Sequence, residues 1–331
     1  MNNSLCTALL SLLCVGLPSW ASETSTASPA SASQSDSPTK NTEASDTKSD
    51  SSSVLPFFGD EARARGYDLP EPFGININYI NIRQNLNVNS IKFGGLALGS
   101  LPLDNLFKID VGHTRERSKT ETLKLDTWLF PFMDIYGLVG HTKGHSVSNI
   151  GVGIDAFGKT MYPPNLQNMK FQLDFKGTTY GVGTTLVSGY DNWFTSVDAN
   201  YTETRFDILD GSINAFTLSP RVGYSFTTPG MDSLHMPNGK LNMWVGSMYQ
   251  DVQQEFKGKL SDLHMPSTDL HQMVNMANKN GRGRFDVKQH LTSPWNVLVG
   301  AQYVLTRNFN ITSEVGFAAR NSFFVSGEYR F

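Results

Sequence analysis

Cysteine is almost missing from this chain. Its 331 residues hold only Cys6 and Cys14, so no disulfide framework staples the sequence beyond residue 14. Charge is scarce too: 17% of residues are Asp, Glu, Lys or Arg, against about 25% in ordinary soluble domains. The 27 bases nearly balance the 30 acids. That balance excludes a polybasic nucleic-acid binder, whose phosphate contacts need clustered Lys and Arg. Long apolar runs are also missing. After residue 21 nothing approaches the roughly 18–20 apolar residues of a membrane-spanning helix, which argues against a helical membrane protein.

What is present divides by composition. Leu5–Gly16 is an apolar run containing both cysteines, followed by Leu17, Pro18, Ser19, Trp20 and Ala21. Ser19 and Ala21 have the small-residue spacing of a signal-peptidase site, so residues 1–21 read as a secretory signal peptide. Residues 22–53 hold 12 Ser and 5 Thr, with 4 Ala as their only apolar residues. Such a segment cannot bury enough surface to offset its chain entropy and reads as a disordered periplasmic tether. Its acids (Glu23, Asp36, Glu43, Asp46, Asp50) and bases (Lys40, Lys48) give it the whole net charge of −3, leaving 54–331 neutral. Residues 54–72 carry a Pro-bounded apolar cluster, a lead-in to the first strand or a small plug.

From Phe73 onward the period is two. Phe323, Val325, Gly327, Tyr329 and Phe331 alternate with Phe324, Ser326, Glu328 and Arg330. Successive strand side chains point to opposite faces, so one face is apolar and the other mostly polar. Aromatics recur at strand ends (Trp193 and Tyr201, Trp295 and Tyr303, Tyr329 and Phe331), as in the girdles of transmembrane barrels. The fold class is therefore all-β, a transmembrane antiparallel β-barrel over 73–331. A spanning sheet must close, because hydrocarbon tolerates no open edge. Strands are expected at 74–85, 105–117, 121–131, 134–143, 169–176, 179–188, 193–204, 213–226, 240–252, 294–305, 309–317 and 322–331. That makes about 12, or about 14 if 90–98 and 148–156 form a further pair. The stretch 253–293 is expected to be a long extracellular loop, with a helix starting at Ser267-Thr268-Asp269-Leu270. Its basic residues Arg282, Arg284 and Lys288 are candidate surface contacts for lipopolysaccharide phosphate.

Catalytic constellations do not emerge. His113, His141, His145, His264, His271 and His290 match neither an HExxH nor a paired CxxC spacing. No catalytic, metal or cofactor residues are assigned, no cofactor is expected, and lipid hydrolysis remains a minor alternative. The candidate lumen-lining residues are Asp110, Lys124, Asp126, Asp174, Asp198, Arg221, Glu314, Glu328 and Arg330. They either interlock as salt bridges that fill the barrel or line a water-filled pore. The functional expectations are a channel or passive transporter of small polar solutes, or a filled barrel acting through its surface loops in adhesion or host interaction.

Several runs carry a resemblance. The terminal Tyr329-Arg330-Phe331 is similar to the strand by which the barrel-assembly machinery recognises outer-membrane proteins, so Tyr329 and Phe331 are read as an assembly signal. The run from Leu125-Asp126-Thr127-Trp128-Leu129-Phe130-Pro131-Phe132 to Gly140, Ser219-Pro220-Arg221-Val222-Gly223-Tyr224, and Trp244-Val245-Gly246-Ser247-Met248-Tyr249-Gln250 resemble a poorly characterised set of proteobacterial outer-membrane β-barrel proteins, some labelled virulence proteins. The resemblance covers about 73–331 and implies a Gram-negative outer-membrane location. The implied partners are outer-membrane lipids, lipopolysaccharide and the assembly machinery. It implies no substrate.

Overall fold

The computed structural model describes residues 55–98, 101–102, 107–156, 159–207, 209–229, 239–263 and 267–331. The expected signal peptide and tether, residues 1–53, lie outside the described residues, as does His264. The elements are helix α1 (Gly59–Ala64), then strands β1 (Phe73–Gly94), β2 (Ala97–Leu98), β3 (Leu101–Pro102), β4 (Phe107–Phe130), β5 (Met133–Ala156), β6 (Lys159–Met161), β7 (Met169–Tyr190), β8 (Trp193–Phe206), β9 (Asp210–Thr228) and β10 (Gly239–Lys259). Helix α2 (Thr268–Ala277) follows, then β11 (Arg284–Leu291), β12 (Trp295–Val304), β13 (Phe309–Phe317) and β14 (Asn321–Arg330).

Ten strands pair antiparallel in the order β1-β14-β13-β12-β10-β9-β8-β7-β5-β4, and β4 returns to β1 to close the ring. In its near half the ring leaves no open edge, as hydrocarbon requires. β6 adds to β5, and β11 bridges β1 and β10, giving twelve strands in the sheet.

These twelve match the segments expected from sequence only in part. The expected pairs 105–117 with 121–131, and 169–176 with 179–188, are single strands, β4 and β7. Segments 90–98 and 148–156 supply no extra hairpin; 90–94 and 148–156 continue β1 and β5. The expected loop 253–293 is largely ordered: β10 runs on to Lys259, and 284–291 is β11. Only the middle of that stretch is helical, capped where Leu270 donates its N–H to the Ser267 hydroxyl at 3.1 Å.

The strands are unequal. β1, β4, β5, β7 and β10 have 21 to 24 residues, whereas β12, β13 and β14 have 9 or 10. At roughly 9–11 residues per tilted crossing, the short strands suffice for a bilayer and the long ones overshoot it. All overshoot lies at one end, here the far end. The near end carries the turns after β4, β7 and β12 and both ends of the ring at Phe73 and Phe331. Its β7–β8 turn places Asp191 at φ 56°, a conformation Asp tolerates because its short side chain bonds locally.

Alternation changes meaning along a long strand. In the far part of β7, Met169, Phe171, Leu173 and Phe175 are buried while Lys170, Gln172, Asp174 and Lys176 are exposed. Beyond Gly177 the same two faces carry opposite chemistry. Tyr180, Val182 and Leu186 are now the exposed residues, and Thr179, Gly181, Gly183 and Thr185 face inward. β10 inverts in the same way: Met243 and Val245 face out near one end, whereas Asp251 and Gln253 face out beyond it, over buried Val252 and Phe256. The near half is apolar outside and polar inside, as lipid demands. The far half is polar outside and apolar inside, as water demands.

The far half has its own core. Phe93, Ile150, Val152, Phe171, Phe175, Phe256, Phe285 and Val287 cluster with Leu270, Val274 and Ala277 of α2. Phe206 and Phe256 stack at 4.8 Å, with Phe175 at 5.5 Å from Phe256. β11 takes the place of β14 beside β1 from Leu86 onward and joins it to β10, so the three short strands take no part in the far half. The ring itself ends there: β1 and β4 pair no further than Leu86 and Thr114, and β8 ends opposite Gly177 of β7.

Candidate functional site

The inner wall of the near half brings opposite charges together. On β4, Lys124 stands 3.6 Å from Asp126 and 3.9 Å from Asp134 on β5. Asp126 also accepts from the Asn76 amide at 2.6 Å and pairs with Arg330 at 2.8 Å. Arg330 pairs in turn with Glu328, donates to the Glu71 carbonyl at 2.9 Å, and lies over the Trp128 ring. The Lys124 ammonium sits 4.6 Å from the Tyr136 ring centroid, and the Tyr136 hydroxyl donates to Asp198 at 2.8 Å. Thr185 and Asn200 donate to the same carboxylate at 2.9 and 2.8 Å. A chain of contacts thus runs around the inner wall from β14 through β4 and β5 to β8.

A second centre reaches further. Arg221 on β9 grips Glu314 on β13 with two donors, Nε to Oε2 at 2.7 Å and Nη2 to Oε1 at 3.1 Å. β10 and β12 lie between those strands in the ring, so the pair bridges the interior. Trp244 adds an indole N–H at 2.7 Å to Glu314. Gly300 makes room for that ring, since a Cβ there would stand 2.5 Å from it. Such a fork-to-fork pair is charge-assisted and geometrically specific.

Water reaches part of this wall. Side chains of Lys124 and Arg221 keep 22% and 20% exposure, against 0% for Asp126 and 7% for Glu314. Tyr136, Asp198, Asn200, Asn242, Gln302 and Asn310 are half-buried. Farther in, polar side chains of four strands meet as a septum: Gln84 and Gln254 donate to Glu116 at 3.3 and 2.6 Å, and Gln289 donates to Gln254 at 2.6 Å. Glu116 is 2% exposed, and the far-half core lies beyond it.

At the near rim, residues 55–72 run from the β4–β5 turn to the start of β10. Phe57 donates its N–H to Leu129 at 2.9 Å and its ring meets Phe130. Asp68 pairs with Lys240 at 3.3 Å and Glu71 with Arg307 at 2.9 Å.

Of the nine residues expected in the lumen, Lys124, Asp126, Glu328 and Arg330 meet in one cluster, Arg221 and Glu314 in another, and Asp198 holds the Tyr136 link. Asp110 and Asp174 require correction: both are exposed on the outer wall of the far half. Asp174 keeps its phase but sits beyond the inversion, where the polar face is the outer one. Asp110 lies beyond a register shift between Val111 and Thr114, and a one-residue slip turns every later side chain to the other face. Asp134, Tyr136, Trp244 and Glu116 were missed. Glu116 was legible as an acid between the outward Arg115 and Arg117.

The loop cluster also needs correction. Arg284 and Lys288 are strand residues on the outer face of β11. They pair with Asp210 at 3.4 Å and Glu255 at 2.9 Å, and Lys257 and Lys288 hold the Glu255 carboxyl below its usual range. Only Arg282 stays in a turn, exposed. Tyr329 and Phe331 are exposed on the outer wall at the near end, 53% and 54%.

Ring closure, the apolar outer belt and the polar inner wall define the class: a transmembrane β-barrel of the outer-membrane type. No protein-family model matches the chain, and no curated protein matches it either. Among solved structures it is similar to the β-domain of the Bordetella autotransporter BrkA (9% identity, 79% of this chain and 100% of that one, TM-score 0.36). It is also similar to an outer-membrane channel from Pseudomonas putida F1 (8%, 80% and 97%, 0.33) and to the outer-membrane protein OprG from Pseudomonas aeruginosa (12%, 80% and 98%, 0.32). Likenesses this distant carry no argument about function.

Proposed function

We propose that the chain is a passive channel for small polar solutes in a bacterial outer membrane, closed in the described conformation by its far-half core. The observation supporting this is the inner wall: polar, charged and partly exposed at the near end, then sealed by the Glu116 septum and the apolar core around α2. In this reading residues 1–21 direct export and 22–53 lie in the periplasm with the near end. The far half projects outward. Both charge signs line the wall, so neither cations nor anions are strongly preferred. The site is assigned no catalytic role; unchanged lipid A mass spectra with and without the protein are expected.

Planar-bilayer recording tests the channel. The wild type should give rare stepwise currents, and a chain with 260–283 replaced by a short turn should give frequent ones. Silence from both, with folding verified, sinks the channel. The second reading, a filled barrel acting through its far-half surface in adhesion or host interaction, is favoured by the bidentate Arg221–Glu314 bridge across the interior. Small barrels are commonly filled by side chains, and open channels appear at about 16 strands.

A further inference from the structure

The outer wall changes from apolar to polar at one level, and cations crowd there. Register places Arg83 opposite Arg117, and Arg117 opposite His145. One step toward the near end, Asn81, Lys119, Lys143 and Lys176 lie side by side across β1, β4, β5 and β7. Facing residues in an antiparallel sheet stand about 4.5–5.5 Å apart, and like charges placed so repel. Among the described residues, none of Arg83, Arg117, Lys119, Lys143 and Lys176 has a carboxylate within 4.0 Å. The acids of this wall do not compensate: Asp174, opposite His145, takes the Gln172 amide at 2.8 Å, and Glu121 stands opposite His141.

A groove of about 750 Å³ runs over the same residues and on to Leu209, Asp262 and Leu263, so its lining holds the five cations against the two carboxylates of Asp174 and Asp262. Toward the near end lies the lipid-facing row Ile77, Leu123, Val139 and Tyr180, all exposed. Toward the far end lie Arg115 and Gln172, in water. The cations therefore stand at headgroup depth, on the leaflet the far half projects from.

We propose that this basic groove binds the phosphates of a lipid A-type glycolipid in the outer leaflet. The inference rests on the outer-membrane setting proposed above. Five cations, in two adjacent rows and without a carboxylate partner among the described residues, call for several anionic groups on one rigid headgroup. A bis-phosphorylated disaccharide supplies that; a phospholipid offers one diester. The exposed row Ile77, Leu123, Val139 and Tyr180, on the membrane side of the cations, suits the acyl chains.

The test uses the purified, folded full chain in detergent, titrated with bis-phosphorylated lipid A, its dephosphorylated form and inorganic phosphate, with bound lipid read by native mass spectrometry. Lys119→Gln/Lys143→Gln/Lys176→Gln should weaken lipid A binding about a hundredfold, from roughly fivefold per surface cation. Arg83→Gln/Arg117→Gln should act in the same direction. Lys257→Gln/Lys288→Gln, elsewhere on the far-half wall, should leave binding unchanged, and heat-modifiable electrophoretic mobility checks folding. Undiminished binding by both groove variants overturns the proposal, as does equal binding of dephosphorylated lipid A. Inorganic phosphate that competes as well as lipid A makes this a free-phosphate site and overturns the lipid assignment. Cell fractionation keeps the failures apart: a chain found outside the outer membrane refutes the setting, whereas a correctly located chain with undiminished variant binding refutes only this inference.

Discussion

The near and far halves of this barrel are built from the same strands, yet they solve opposite solvation problems. In the near half Ile77, Leu125 and Val182 face outward while Asn76, Asp126 and Thr179 face inward. In the far half Lys170, Gln172 and Lys176 face outward while Phe171, Phe175 and Phe256 are buried. Along β7 the register runs through the crossover without a shift; what differs is the surroundings of each face. A strand's faces are set by pleat geometry, and which one must be apolar is set by what surrounds it. The lesson is that a period-two pattern reports faces, not inside and outside.

The halves should therefore fail differently. The largest effect is expected from emptying the far core: Phe256→Ala should cost about 3–5 kcal/mol of far-half stability. Hydrogen exchange should show faster opening of β10 and β11 while the near-half ladder stays protected. Arg221→Ala leaves Glu314 buried without its cation and should cost about 3–5 kcal/mol, read as a lowered denaturant midpoint of the reconstituted protein. Arg205→Ala, by contrast, removes a partner of Glu203 from an exposed pair and should cost less than about 1 kcal/mol. A charge in the lipid belt comes next, with Leu125→Arg costing about 2–4 kcal/mol near the bilayer midplane. Gln172→Arg puts the same charge on the same outer surface beyond the crossover and should change stability by less than about 0.5 kcal/mol. Equal costs for those last two would erase the distinction between the halves.

Much of the near half was legible in sequence because one rule, apolar out and polar in, holds throughout it. β12, β13 and β14 were read within a residue or two for that reason, and ring closure followed from the need to satisfy strand edges. The far half was not legible under the same rule. Asp174 lay on the polar face, and that face had become the outer one. Asp110 was misplaced by the bulge before Thr114, which leaves no mark in composition. β11 alternates as cleanly as β14, with Phe285, Val287, Gln289 and Leu291 buried. In sequence it falls inside 253–293, the stretch between expected strands 240–252 and 294–305 that an up-and-down topology makes an extracellular loop. Of the inner network, the charged members were visible individually, but the Arg221–Glu314 bridge spans 93 residues. Only the ring order brings its ends together.

The crossover itself is the central claim, and β7 tests it most directly. Single cysteines at Gln172, Asp174, Lys176, Val182 and Leu186, in a chain with Cys6 and Cys14 replaced, all face the outer wall. In liposomes, a membrane-impermeant maleimide should label the first three rapidly and leave Val182 and Leu186 protected, with the boundary between Lys176 and Val182. Uniform labelling along the strand, or protection at Gln172 with labelling at Val182, would contradict the account.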